Sequence, residues 1–168
     1  MDAGIDCVEH GMMIGDDTIQ RLVDTGTFLV STCALTENWD ISGQPKSLQA
    51  KAAVVFPKAK ESLSKAIEAG VKVALGTDAP AIFHGRNAEE LDVLVKRGMS
   101  PIQAIRSATT VAADLIQMDH ELGRIAPEML ADLIGVVGDP LADVTTFQRV
   151  PFVMKDGKVV KRSGPATS

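Results

Sequence analysis

A histidine and an aspartate stand where two short apolar runs of this chain end. His10 closely follows the run at residues 5–8, and Asp78 closely follows the run at residues 71–75. Parallel α/β proteins assemble their chemistry at the carboxyl ends of strands. Imidazole and carboxylate groups are ligands of catalytic zinc and related divalent ions. We therefore predict that His10 and Asp78 are metal ligands.

Both residues also have ordinary structural explanations. His10 could be a core histidine hydrogen-bonded to backbone. Asp78 could cap a helix or close an Asx-turn near Pro80. A carboxylate that ends an apolar strand needs a partner, a capping role or a cation, which favours metal binding for Asp78. Because side chains alternate along a strand, Cys7 and His10 should face opposite ways, which argues against a zinc site built on that pair.

An alternation of strands and helices must position these residues. Apolar and β-branched runs predict strands at residues 5–8, 27–32 and 71–75. Helical patterns fill the intervals, one ending at Gly26 and a longer one covering residues 47–69. Each strand is followed by a helix and then by another strand, which is typical of parallel βαβ units. The predicted fold class is therefore α/β.

Three details of the helices are predicted from single residues. Pro57 should kink or divide the long helix. Asn87 should cap the helix after the Asp78 loop, with Glu90 completing a capping box. The sequence at residues 100–103 starts another helix with both a cap and a proline, and the apolar stripe extends that helix to Leu115.

The last quarter of the chain has a different pattern. Residues 131–137 read as a strand, and residues 150–154 and 158–161 flank Asp156-Gly157, a strong signal for a two-residue hairpin. This tail should add antiparallel strands to the α/β body. Residues 163–168 are predicted to form a disordered tail.

Composition excludes several classes of function. The 168 residues are 45% hydrophobic and 23% charged, the balance of a soluble globular protein. A net charge of −5 provides no basic surface, so we expect neither a nucleic-acid partner nor a membrane partner. The two cysteines do not form a disulfide framework, and the first residues lack a signal-peptide pattern. We therefore expect a cytoplasmic location.

A series of motifs resembles the C-terminal half of the amidohydrolase superfamily. The resemblance is strongest to its imidazolonepropionase-like and Xaa-Pro dipeptidase (prolidase-like) branch. The first motifs are Glu9-His10-Gly11, Gly76-Thr77-Asp78, His84-Gly85-x-Asn87 followed by Glu90-Leu91, and Ser107-Ala108-Thr109. The tail continues with Leu122-Gly123-x-Ile125-x-Pro127, Ala131-Asp132-Leu133 and Gly138-Asp139-Pro140-Leu141. Each motif is weak alone, but together and in order they cover nearly the whole chain.

This resemblance implies a fold. Such enzymes have a (β/α)8 TIM-like barrel and a small β-sandwich built from both chain ends. The strands ending near His10, Thr32 and Asp78 would be barrel strands six, seven and eight. Residues 1–120 would then belong to a partial hydrolase barrel, and residues 121–162 would supply C-terminal strands of the sandwich domain.

The resemblance also implies a reaction. It indicates a metal-dependent hydrolase that cleaves amide or cyclic amide C–N bonds with a metal-activated water, with zinc the expected metal and no organic cofactor. His10 would bind the metal, and Asp78 would bind it and transfer protons. His84 would contact a small-molecule or dipeptide-like substrate. The alternative for His84 is an ordinary surface histidine on a loop.

The chain also departs from the family pattern. The family's first-strand His-x-His, its barrel lysine and its fifth-strand histidine all precede the sixth strand, so we expect an incomplete site that is inactive alone. Glu128 stands where the family usually has glycine.

The main hypothesis is the C-terminal portion of a hydrolase, and the alternative is a truncated, inactive relative that serves as an oligomerisation or interaction module. Open strand edges predict a homo-oligomer or association with the missing N-terminal half.

Overall fold

The computed structural model describes residues 2–163, which form two three-stranded sheets and the helices around them. The strands are β1 (Cys7–Glu9), β2 (Phe28–Ser31), β3 (Val73–Leu75), β4 (Leu133–Gly135), β5 (Phe152–Lys155) and β6 (Lys158–Arg162). The α-helices are α1 (Asp16–Thr25), α2 (Ala34–Asn38), α3 (Lys46–Glu68), α4 (Glu89–Lys96), α5 (Pro101–Ser107) and α6 (Thr110–Leu115), and a 3₁₀ helix spans Val144–Gln148.

The first sheet is parallel and follows the chain in the order β1-β2-β3. β2 is central and every residue in it is buried, as expected for a strand covered on both faces. Helix α1 connects β1 to β2, and α2 and α3 connect β2 to β3. The buried core includes Leu22 of α1, Leu29 of β2, Val73 of β3 and Leu94 of α4. The predicted α/β class is confirmed.

Two helix predictions need correction. Helix α3 continues through Pro57 and is not divided there. Pro57 is exposed, while the buried side of the helix is formed by small and apolar residues such as Ala59 and Leu63. The helix predicted to reach Leu115 is two helices, α5 and α6, which separate around Thr109.

The second sheet is antiparallel, in the order β4-β5-β6. The predicted hairpin is confirmed: Asp156 and Gly157 link β5 to β6 with φ of 49° and 70°, which suits a two-residue turn. Asp132 supports this turn, because its Oδ1 accepts the Asp156 N–H at 2.8 Å and its carboxylate pairs with Lys155.

The end of the chain is described only in part. The Ser163 N–H donates to the Pro151 carbonyl at 2.7 Å, so Ser163 continues the β5–β6 contact. Residues 164–168 of the predicted disordered tail lie outside the described residues. Across residues 2–163, none of the helices has the length and apolar character to cross a membrane.

Glu128 has an unusual backbone conformation. Its φ is 68°, in the left-handed region where glycine is favoured. This accounts for the glycine that the family pattern places at this point. The glutamate therefore holds a backbone conformation that is less favourable for a side chain with a Cβ atom.

We predict that Gly76→Ala destabilises the protein, because the end of β3 lies against β2. A Cβ atom at Gly76 would stand 2.7 Å from Val30 Cγ1 and 3.1 Å from the Ser31 carbonyl oxygen. Overpacking of this kind lowers the free energy of unfolding by about 1–3 kcal/mol. Gly43→Ala is the control, since a Cβ there meets no atom within 4 Å. Urea unfolding of both variants checks this, and equal stabilities would contradict the close approach.

Candidate active site

The carboxyl end of β2 holds the backbones of both candidate metal-binding segments. His10 directly follows β1, and its N–H donates to the Val30 carbonyl at 2.9 Å. Gly76 directly follows β3, and its N–H donates to the Ser31 carbonyl at 2.7 Å. His10 and Asp78 therefore follow the outer strands of the sheet, one on each side of β2.

His10 is exposed and lies in a strained turn. Its φ is 66°, and the Gly11 N–H donates to the Glu9 carbonyl at 2.8 Å, which together define a γ-turn centred on His10. The Nδ1 atom of the ring is 2.8 Å from the Thr32 hydroxyl oxygen. His10 is therefore not a buried histidine bonded to backbone, and its Nε2 is the ring nitrogen left for a ligand. The Cys7 thiol does not pair with His10; it donates to the Glu9 carboxylate, 3.2 Å away.

Asp78 is also exposed and also has a positive φ, of 53°. Its carbonyl accepts the Ala81 N–H at 2.7 Å, closing a turn that contains a cis peptide bond before Pro80. Among the described residues, neither a hydrogen bond nor a salt bridge engages the Asp78 carboxylate. Within residues 2–163 the side chain is thus not used in an Asx-turn or a helix cap.

His84 lies on the loop between Asp78 and α4. It is exposed, next to Phe83, whose side chain is 77% exposed, while Ile82 anchors the loop in the core. Within residues 2–163, no three His, Cys, Asp or Glu side chains are close enough to hold a metal ion. The structure thus places His10 and Asp78 at one edge of the sheet, with His84 on the following loop.

The predicted capping box at Asn87 and Glu90 is wrong. Helix α4 begins at Glu89, with Ala88 at its N-cap and without a side-chain cap. The Asn87 side-chain oxygen accepts the Gly85 N–H at 3.1 Å. The Glu90 carboxylate does not cap the helix, because it accepts hydrogen bonds from residues 31–34.

Glu90 is fully buried and binds the segment that follows β2. Its Oε1 accepts the Cys33 N–H at 2.9 Å and the Ser31 hydroxyl, and its Oε2 accepts the Ala34 N–H at 2.5 Å. Burial raises the pKa of the Glu90 carboxyl, and the hydrogen bonds from Ser31, Ala34 and Cys33 act in the opposite direction. Three donors on one carboxylate are the compensation that a buried acid requires.

Sequence reasoning missed two residues of this edge, Thr32 and Glu90. The sequence pattern places Thr32 only in a strand, because a threonine that ends a β-branched run carries no distinguishing signal. Glu90 did carry one. Helical periodicity places it on the face of α4 that also holds Val93 and Leu94, both buried. A carboxylate on an apolar helix face indicates a buried partner.

The comparisons with known proteins identify the family. The profile described as "Amidohydrolase family" matches residues 2–160. The chain therefore belongs to the amidohydrolase family, which confirms the resemblance found in its motifs.

Similar proteins include an uncharacterized mycobacterial protein and a named fungal enzyme. An uncharacterized protein of Mycobacterium tuberculosis is 33% identical over 165 residues, covering 94% of this chain and 43% of that protein. Ochratoxinase of Aspergillus niger is 33% identical over 171 residues, covering 96% of this chain and 35% of the enzyme. The chain thus spans less than half the length of each.

Two solved structures have the same fold over nearly all of this chain. A Xaa-Pro dipeptidase with methionine bound in its active site matches with a TM-score of 0.88 at 35% identity, covering 95% of this chain and 41% of the dipeptidase chain. The A. niger ochratoxinase structure matches with a TM-score of 0.83 at 32% identity, covering 97% of this chain and 38% of the ochratoxinase chain. The predicted similarity to Xaa-Pro dipeptidases agrees with the first match.

We predict that Cys33 is unreactive in the folded protein. Burial, with a smaller contribution from the nearby Glu90 carboxylate, raises the pKa of its thiol from 9.0 to about 11. Because the thiolate is the reactive form, its fraction at pH 8 falls about 100-fold. Iodoacetamide labelling followed by peptide mass spectrometry should modify Cys33 only after denaturation. Labelling of Cys33 in the folded protein as fast as in the denatured chain would contradict this.

Proposed function

We propose that this chain is the C-terminal portion of a metal-dependent amidohydrolase that cleaves amide or cyclic amide C–N bonds in small, dipeptide-like substrates. The observation that carries the proposal is the pair of polar side chains, His10 and Asp78, at the carboxyl edge of one parallel sheet in an amidohydrolase-family chain. Family membership and the similarity to a Xaa-Pro dipeptidase and to ochratoxinase support the same reaction class.

The proposed architecture follows from the open edges of the first sheet. β1 and β3 are its outer strands in the described part of the chain, and parallel sheets are normally covered and extended. We assign β1, β2 and β3 to strands six, seven and eight of a (β/α)8 barrel, and residues 121–162 to the composite sandwich domain. The remaining barrel strands would come from an N-terminal half, or association between copies would cover the edges.

The residues present fit two positions of a divalent metal site, most simply one for zinc. His10 offers Nε2 while its Nδ1 contacts Thr32, and Asp78 is exposed and its carboxylate has no partner within residues 2–163. When bound, such a cation lowers the pKa of a coordinated water to about 7 and polarises the scissile carbonyl. Asp78 accepts the proton of the attacking water as the C–O bond forms. It then delivers that proton to the nitrogen as the C–N bond breaks.

His84 has a different proposed role. It lies on the loop that directly follows Asp78, and it is exposed beside Phe83. Loops at the carboxyl face of a barrel carry specificity, because the strands fix the reacting groups and the loops contact the rest of the substrate. We therefore place His84 against the substrate and away from the bonds that change.

We expect Asp78→Asn to remove activity in the active protein that contains this chain. The amide keeps the size of the side chain but cannot accept the proton, so kcat should fall by about 10²–10⁴-fold. Hydrolysis of a panel of Xaa-Pro dipeptides measures this, and circular dichroism checks that the fold is retained. Asp119→Asn, at an exposed carboxylate far along the chain, is the matched control. Unchanged turnover in Asp78→Asn would remove Asp78 from the mechanism.

We expect His84→Ala to weaken substrate binding. Loss of one hydrogen bond to substrate costs about 0.5–1.5 kcal/mol, so KM should rise about 2–10-fold with kcat nearly constant. Steady-state kinetics on the best dipeptide of the panel separates the two constants. His120→Ala is the control, since its side chain is 67% exposed outside every proposed contact. Equal KM values for His84→Ala, His120→Ala and the parent protein would make His84 an ordinary surface residue.

A further inference from the structure

We propose that Glu90 is a positioning residue of the candidate metal site, acting through the segment 31–34 to hold the Thr32 hydroxyl that orients the His10 imidazole. The inference rests on the proposed function only in naming His10 a metal ligand. The positioning itself follows from contacts between described residues and is measured without a metal.

The first step is the contact between α4 and the end of β2. Glu90 is 0% exposed, and its hydrogen-bond donors among the described residues all belong to residues 31–34. These donors are 56 to 59 residues away in sequence, so the contact joins two distant parts of the chain. Two backbone N–H groups and one hydroxyl on a single carboxylate fix both the position and the direction of this segment.

The second step is Thr32, which lies between the residues that Glu90 binds. Thr32 is 3% exposed, so its side chain has little freedom to turn. Its Oγ1 is 2.8 Å from His10 Nδ1. With Ser31 and Cys33 held on either side by Glu90, the hydroxyl of Thr32 is a fixed partner for the ring.

The third step concerns what His10 needs. It is exposed, and its backbone has a φ of 66°, so neither burial nor regular secondary structure sets the direction of its ring. A neutral imidazole has two tautomers, and a hydrogen bond at one nitrogen decides which nitrogen is free for a metal. If Nδ1–H donates to Thr32, Nε2 is unprotonated and directed away from the protein segment 31–34.

Nitrogen-15 NMR of the labelled protein tests this chain of contacts. Two-bond proton–nitrogen correlations at pH about 8.5, where an ordinary imidazole is neutral, show which ring nitrogen carries the proton. His84→Gln and His120→Gln identify the His10 signals. In the parent protein we expect His10 to be protonated on Nδ1. Protonation on Nε2 would overturn the proposal, because the Thr32 contact would then not select the tautomer whose Nε2 is unprotonated.

Single variants test the Thr32–His10 contact and the Glu90 contacts separately. Thr32→Val keeps the shape and removes the hydroxyl, so the Nδ1–H preference should be lost, while Thr32→Ser should restore it. Glu90→Gln replaces one acceptor by a donor that faces the Ala34 N–H, and the preference should weaken. Glu89→Gln is the matched control: Glu89 is the neighbouring residue of α4, and its carboxylate binds Arg86 and Asn38 instead.

Ser31→Ala covers the case in which Glu90→Gln does not fold. It removes only the hydroxyl donor to Glu90 and keeps the two backbone donors, so the Nδ1–H preference of His10 should weaken in a folded protein. A folded Ser31→Ala or Glu90→Gln protein with an unchanged His10 signal would overturn the role of Glu90. An unchanged signal in Thr32→Val would overturn the role of Thr32.

Zinc titration separates this inference from the proposed function. In the active protein that contains this chain, loss of an orienting hydrogen bond weakens metal affinity about 10–100-fold, so Thr32→Val should bind zinc that much more weakly than Glu89→Gln. If the His10 signals change as expected while zinc affinity does not, the positioning stands and His10 is not a metal ligand. If zinc affinity falls and the signals do not change, the positioning role is wrong.

Discussion

The interaction on which this edge of the molecule depends is a buried carboxylate that receives three hydrogen bonds. Glu90 lies in a helix that follows the third strand, and its donors lie at the end of the second. Leu91 and Leu94 of the same helix are buried core residues that cannot hydrogen-bond, so loss of a donor would leave the carboxylate unsatisfied. The arrangement of residues 31–34 is therefore set by tertiary structure and not by local propensity.

The central strand β2 also fixes the backbone that follows each neighbouring strand. The Val30 carbonyl binds the backbone of His10, and the Ser31 carbonyl binds the backbone of Gly76, just before Asp78. His10 and Asp78 each have a positive φ, which is uncommon for residues other than glycine and persists where surrounding contacts require it. Gln117 and Asp156 also have a positive φ but do not follow a strand of the parallel sheet. A positive φ therefore indicates a candidate site only where the residue also lies at the end of such a strand.

Much of this could be predicted from the sequence, and the failures have a common cause. Strand ends at His10 and Asp78, the Asp156-Gly157 hairpin and the start of α5 depend on neighbouring residues, whose pattern is visible in the chain. The three-residue spacing from Asn87 predicts a local capping role for Glu90, whereas its real partners are more than 50 residues distant. The metal-binding and substrate-binding roles of these side chains stay predictions.

The loop at residues 78–88 is held in place at both ends. Strand β3 precedes it, and helix α4, which carries the buried Glu90, follows it. The exposed residues of this loop can thus be replaced without moving the groups at the strand ends, while Ile82 holds the loop in the core. Such an arrangement lets the exposed surface of the loop change while the ends of the strands keep their positions. It provides a physical reason why the same fold occurs in proteins with names as different as Xaa-Pro dipeptidase and ochratoxinase.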